Sequence, residues 1–125
     1  MHSPIATYLV DSLAAVASDT SGELANYIPE LAAVNPDRLA TSIVMVDGEQ
    51  YVAGDSDVEF TIQSISKPFV YALALADRGF DDVLAKVGVE PSGEPFNELS
   101  LEDGSGKPLN PMINAGAITT HSLVG

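Results

Sequence analysis

A serine and a lysine stand three residues apart in residues 63–69, which read Gln-Ser-Ile-Ser-Lys-Pro-Phe. Residues with this spacing project from one side of a helix, so the pattern places the Ser64 hydroxyl near the Lys67 amine. Pro68 indicates where that helix begins, because proline is tolerated in a first turn, where its missing N–H has no partner to lose. The spacing therefore predicts a helix that starts near Ser64, and the pair fits the chemistry of a serine nucleophile with a lysine base.

The residues around the pair favour this chemistry. The positive end of the helix dipole would stabilise an oxyanion at Ser64. A lysine between Ile65, Pro68 and Phe69 would be poorly hydrated, which favours the neutral amine that a base requires. The motif S-x-x-K has only two fixed positions and is common by chance. Spacing alone therefore favours an ordinary helix start with a capping serine and a solvated lysine.

Length and composition limit the class of protein. With 125 residues, 46% of them hydrophobic, the chain is expected to form one folded domain over residues 1–125. The 18 acidic and 5 basic residues give a net charge of −13, which argues against nucleic acid and anionic membranes as partners. The chain has no cysteine, no basic leader and no apolar run of roughly 20 residues, so we expect a cytoplasmic protein.

The elements that must position Ser64 and Lys67 follow from periodicity and turn signals. The sequence predicts a helix from Ser3-Pro4 to about Ser18, a hairpin over 41–54, a buried helix from Ser64 to Gly79, a short helix over 81–87, a long irregular segment over 89–110 and a helix opened by Asn110-Pro111. Two confident strands make only a marginal hairpin, so the expected α+β fold has an incomplete sheet.

The sequence contains no complete metal-binding or phosphate-binding motif. Asp55, Asp57 and Glu59 alternate like calcium ligands, but the position that needs a glycine is Phe60. His2 and His121 have no partner at zinc-ligand spacing and are expected to be ordinary surface and helix positions. The run Ser105-Gly106-Lys107 lacks the earlier glycine of a phosphate loop. No metal or cofactor is expected.

Two further side chains are candidates for the site. Asn114 stands among small and apolar residues, so its carboxamide is expected to be buried and to need a partner, either backbone or a ligand. Gly116 would let a backbone or a ligand approach closely. Tyr27 has an equally simple interpretation as an amphipathic packing residue, and spacing alone does not decide.

Several segments together resemble the serine-dependent glutaminases. They are Ala-Asn-Tyr-Ile-Pro-Glu-Leu at 25–31, Gln-Ser-Ile-Ser-Lys-Pro at 63–68, Pro-Ser-Gly at 91–93 with Phe96-Asn97, and Asn-Pro-Met-Ile-Asn-Ala-Gly-Ala-Ile at 110–118. Their order and spacing match across nearly the whole chain, and the last run is long and unusual.

The resemblance implies hydrolysis of L-glutamine to L-glutamate and ammonia in a β-lactamase-like fold, with helices packed on an antiparallel sheet. By the family pattern, Ser64 is the nucleophile and Lys67 the base. Ser64, Asn114 and Tyr27 bind the substrate, no metal or cofactor takes part, and a homo-oligomer is expected. The Ser64 backbone N–H is the implied oxyanion donor.

Family members are longer than this chain, so residues 1–125 are expected to be the N-terminal portion of one incomplete glutaminase domain, inactive on its own. Two alternatives stay open. A penicillin-interacting or esterase-like Ser–Lys acyl enzyme would also carry S-D-N and K-T-G elements, which this sequence lacks. A non-catalytic fragment would bind glutamine without turnover.

Overall fold

The computed structural model describes residues 3–125, and the chain forms two compact units, Met1–Phe60 and Thr61–Gly125. Helices and one two-stranded antiparallel sheet make up the regular structure, which confirms the predicted α+β class. Within residues 3–125 every helix is too short or too polar to cross a bilayer. The prediction for His2 lies outside the described residues.

The first unit consists of two helices and the predicted hairpin. Its elements are α1 (Pro4–Val16), α2 (Pro29–Ala32), β1 (Ala40–Val44) and β2 (Gln50–Gly54). α1 begins where the sequence predicts, because the Ser3 hydroxyl accepts a hydrogen bond from Ile5 N at 3.3 Å. The strands pair with Thr41 opposite Ala53. α1 packs against both strands and buries Leu9, so this small core holds the hairpin to a helix.

Asp19, in the turn after α1, supplies a pH-dependent contact. Its Oδ1 accepts hydrogen bonds from Ser21 Oγ at 2.6 Å and from Ser21 N at 3.0 Å. The side-chain bond first, and the backbone bond second, stabilise the carboxylate and lower the pKa of Asp19 below its ordinary value. The contact therefore stabilises the turn above the unfolded-state pKa, and this stabilisation is lost as the pH falls through the folded-state pKa.

An NMR titration of the Asp19 carboxyl checks this contact. The midpoint is expected below that of an unstructured aspartate, and Ser21→Ala is expected to move it upward because the stronger bond is removed. Ser18→Ala, a nearby serine that makes no bond to Asp19, is the matched control. A midpoint that stays put in Ser21→Ala would mean that the hydroxyl does not stabilise the carboxylate.

The second unit is built on three helices. They are α3 (Ser66–Arg78), preceded by a 3₁₀ turn (Gln63–Ile65), α4 (Phe80–Leu84) and α5 (Asn114–His121). Pro68 lies in the first turn of α3 as predicted. Gly79 ends α3 with φ of 80°, a left-handed conformation that glycine adopts without strain. α4 is shorter than the predicted 81–87, although both Val83 and Val87 are buried.

The prediction that α3 is buried along its length is wrong. Phe69 and Leu73 are 63% and 53% exposed, whereas Lys67 and Ala74 are buried. Among the described residues of the second unit α4 and α5 pack against α3, yet the side chains of Phe69 and Leu73 stay exposed. Hydropathy shows that a helix is apolar on most faces, but it does not show which faces have a partner.

The start of α5 also differs from the prediction. Asn110 was expected to cap a helix opened by Pro111, but α5 begins at Asn114. The reason is a turn in which Asn110 Oδ1 accepts hydrogen bonds from Met112 N at 3.0 Å and from Ile113 N at 3.1 Å. Asn114 therefore stands at the first helical position. The preceding segment 89–110 is irregular, as predicted, apart from an isolated bridge between Leu101 and Pro108.

Candidate active site

The Lys67 amine lies at the centre of the second unit's candidate site. The residue is only 8% exposed, which is rare for lysine and requires polar partners. Lys67 Nζ donates hydrogen bonds to the Met112 carbonyl oxygen at 2.9 Å and to Asn114 Oδ1 at 2.8 Å. One acceptor lies in the turn before α5 and the other on its first residue, so the amine joins the first turn of α3 to the start of α5. The interpretation of Lys67 as a solvated surface lysine is therefore wrong.

An aromatic ring completes the surroundings of the amine. The centroid of the Phe96 ring is 5.2 Å from Lys67 Nζ. The backbone carbonyl of Phe96 also accepts a hydrogen bond from Asn114 N at 2.9 Å. The long irregular segment thus supplies part of the candidate site, and long irregular segments inside compact domains are often functional.

Ser64 lies in the 3₁₀ turn, and its side chain is exposed. Within residues 3–125 its hydroxyl has no hydrogen-bond partner. The Lys67 amine is bonded to the Met112 carbonyl oxygen and to Asn114 Oδ1, and not to Ser64. An ammonium has three donors, and two of them are used here. Nucleophile–base hydrogen bonds are often long in ligand-free enzymes and tighten when substrate binds. The roles of Ser64 and Lys67 stay predictions. The Lys67 amine is fixed by two hydrogen bonds, and the Ser64 hydroxyl is exposed.

Gln63, the residue before Ser64, has a strained backbone. Its φ is 44°, and it is the non-glycine residue with positive φ in the part of the chain that the structure describes. The Ser66 hydroxyl donates a 2.8 Å hydrogen bond to the Gln63 carbonyl and holds the turn. Such strain persists where the surrounding structure enforces it and clusters at functional sites. No sequence signal marks this position, because glycine, asparagine or aspartate would be the usual residue.

Asn114 is exposed, so the prediction that its carboxamide is buried is wrong. It is the first residue of α5, and the buried residues of that helix are Gly116, Ala117 and Thr120. It nevertheless has the expected polar partner, because Oδ1 accepts from Lys67. That bond uses the oxygen and leaves the Asn114 amide nitrogen available as a donor to a ligand.

Sequence reasoning missed how tightly residues 110–116 are packed. Asn110 Nδ2 donates to the Glu90 carbonyl at 2.9 Å, while its Oδ1 closes the turn before α5. A Cβ added at Gly116 would lie 2.7 Å from the carbonyl carbon of Asn110. The close approach predicted for Gly116 is therefore to backbone, and it fixes where the Met112 carbonyl and Asn114 stand.

Tyr27, the remaining predicted site residue, belongs to the first unit. It lies in the turn before α2 and its side chain is 79% exposed. It is not a core residue of that unit, so the packing interpretation is not supported. Its role in substrate binding stays a prediction of the family resemblance.

Comparison with known proteins identifies close relatives. A family model described as Glutaminase matches residues 22–125. A glutaminase from Corynebacterium glutamicum is 60% identical over 121 residues, which are 97% of this chain and 29% of the relative. A glutaminase from Trichormus variabilis is 56% identical over 122 residues, which are 98% of this chain and 36% of the relative. The chain thus spans about a third of the length of these relatives.

Solved structures give the same result. A protein named Mglu, crystallised in a form with Tris and glutamate, superposes with a TM-score of 0.90 at 53% identity over 100% of this chain and 28% of its own. A probable glutaminase from Bacillus subtilis superposes with a TM-score of 0.78 at 36% identity over 97% of this chain and 37% of its own.

Proposed function

We propose, because the chain belongs to the glutaminase family, that it forms part of an enzyme that hydrolyses L-glutamine to L-glutamate and ammonia. The observation that carries the proposal is the buried Lys67 amine, which donates hydrogen bonds to two oxygens. Lys67 follows the exposed Ser64 by three residues. Relatives named glutaminase, and a relative crystallised with glutamate, support glutamine as the substrate.

The proposed reaction has two steps. Lys67 in its neutral form takes the proton of the Ser64 hydroxyl, and Ser64 Oγ bonds to the side-chain carbonyl carbon of glutamine. The carbon–nitrogen bond breaks, and the nitrogen leaves as ammonia with the proton returned by Lys67. Water then attacks the glutamyl ester, which releases glutamate and restores the Ser64 hydroxyl. The Ser64 backbone N–H is the proposed donor to the oxyanion in both steps.

Ammonia release by the full-length protein tests this function. We expect rapid release from L-glutamine and much slower release from L-asparagine, on the basis of the family match. The penicillin-interacting alternative predicts hydrolysis of a β-lactam such as nitrocefin and no ammonia release from glutamine. A protein that hydrolysed nitrocefin efficiently and left glutamine untouched would establish that alternative.

Asn114 is proposed to bind glutamine through its amide nitrogen, and the family resemblance supports Tyr27 as a substrate-binding residue. Asn114→Ala is expected to raise KM for glutamine about tenfold or more, since a hydrogen bond between substrate and protein is lost. A smaller fall in kcat is expected as well, because Lys67 loses one acceptor. Thr119→Ala, further along the same helix, is the control. Unchanged kinetics in Asn114→Ala would assign Asn114 a purely structural role.

Residues 1–125 are proposed to be the N-terminal portion of a single glutaminase domain, since the family match over 22–125 runs across the boundary between the two units.

We also propose a cytoplasmic homo-oligomer. The absence of cysteine supports a reducing compartment, and the exposed Phe69 and Leu73 support further packing partners. Light scattering on the full-length protein measures the oligomeric state.

A further inference from the structure

We propose that Phe96 is a positioning residue for the general base: its ring stabilises the ammonium that forms when Lys67 takes the proton of Ser64. The inference rests on the proposed glutaminase function. It adds to the site a residue outside the Ser–Lys pair, from the irregular segment between α4 and α5.

Two contacts place the Phe96 ring next to the Lys67 amine. The ring centroid lies 5.2 Å from Lys67 Nζ, within the roughly 6 Å over which an aromatic face attracts a cation. The Phe96 carbonyl accepts from Asn114 N at 2.9 Å, and Asn114 Oδ1 accepts from Lys67 Nζ at 2.8 Å. Phe96, Asn114 and Lys67 therefore form a closed set of contacts, in which the ring and the amine are placed by the same turn of α5.

The charges around Lys67 explain why a ring is suited to this place. Among residues 3–125 the ion pair is formed elsewhere, between Lys107 and Glu102 at 3.7 Å, so no described carboxylate pairs with Lys67. The partners of Nζ are two neutral oxygens and the ring face. A carboxylate in contact would hold the proton on the amine and stop it from acting as a base. A ring attracts a cation more weakly than a carboxylate does.

The proton transfer makes this attraction specific to the reacting state. In the first step Ser64 Oγ loses its proton to Lys67 Nζ, the oxygen forms the new bond to carbon and the positive charge appears on the nitrogen. The ring interacts with that charge and has no assigned contact with glutamine. Loss of the interaction should therefore lower kcat and leave KM nearly unchanged.

A series of fluorinated phenylalanines at position 96 of the full-length protein tests the inference. Each fluorine withdraws electron density from the ring face with little change in volume, so it weakens the attraction to a cation and not the packing. With 4-fluoro-, 3,5-difluoro- and 3,4,5-trifluorophenylalanine we expect a stepwise fall in kcat that reaches about three- to fivefold, since Phe96 is 58% exposed, with KM changed less than about twofold. Phe96→Leu should match the end of the series, and Phe96→Tyr should retain most of the activity.

The same substitutions at Phe80, an exposed phenylalanine at the start of α4, are the control and should leave kcat unchanged. A flat series at Phe96 in a protein that hydrolyses glutamine would overturn this inference alone. Wild-type protein that leaves glutamine untouched would overturn the proposed function, and this inference with it, so the two failures are distinguishable.

Discussion

Ser64→Ala in the full-length protein is expected to reduce kcat for glutamine hydrolysis by about 10⁴-fold or more, because the atom that attacks the substrate is removed. Lys67→Met should reduce it by a similar factor, since it keeps most of the apolar stem and removes the amine. The double variant should be little worse than either single variant, because nucleophile and base act as a unit and their losses do not add. Steady-state ammonia release measures all three.

Folding controls separate lost chemistry from lost structure. The Ser64 hydroxyl has no hydrogen-bond partner in residues 3–125, so Ser64→Ala should leave the thermal midpoint nearly unchanged. Lys67→Met leaves Asn114 and the Met112 carbonyl without a donor and should lower that midpoint measurably. Ser56→Ala and Lys86→Ala, at exposed positions, are matched controls that should retain full activity. Substantial turnover in either site variant would contradict the Ser–Lys assignment.

Gly116→Ala is expected to have the largest effect on stability. The added Cβ would meet the Asn110 carbonyl group and the Pro111 backbone, and backbone cannot move aside as a flexible side chain can. Overpacking of this kind costs about 1–3 kcal/mol, and the upper end is expected here because the neighbours are backbone atoms. A shift of the 110–113 turn would also displace the Met112 carbonyl from Lys67, so activity should fall along with stability.

Chemical denaturation of Gly116→Ala and of Gly22→Ala measures this cost. Gly22 is the matched control, because an added Cβ there meets nothing within 4 Å. Equal free energies of unfolding for the two variants would show that the close approach at Gly116 is not needed for the fold.

Sequence reasoning predicted the features that depend on local chemistry. The Ser3 cap, the hairpin and the end of α3 at Gly79 were all predicted, because each is specified by neighbouring residues. The start of α5 was not, since Asn110 followed by Pro111 fits both a helix cap and the turn that the structure forms. The local sequence pattern is the same for a helix cap and for this turn, and contacts with residues distant in sequence decide which one forms.

The candidate site shows the same limit. The spacing of Ser64 and Lys67 indicated a pair, but the partners of the amine come from residues more than 40 positions away, and no spacing rule reaches them. The approach of the Phe96 ring to the amine and the strained backbone of Gln63 have no signal in a single sequence. Contacts of this kind depend on tertiary structure, which a pattern of residue types does not specify.

Mass spectrometry of the acyl-enzyme tests the central claim most directly. The full-length protein is mixed with L-glutamine, quenched in acid within milliseconds and digested, and the peptide that contains Ser64 is weighed. We expect this peptide to gain the mass of one glutamyl group, with fragmentation placing the group on Ser64, and we expect no adduct in Ser64→Ala. An active enzyme that carried the glutamyl group on another residue would contradict the assignment of Ser64 as the nucleophile.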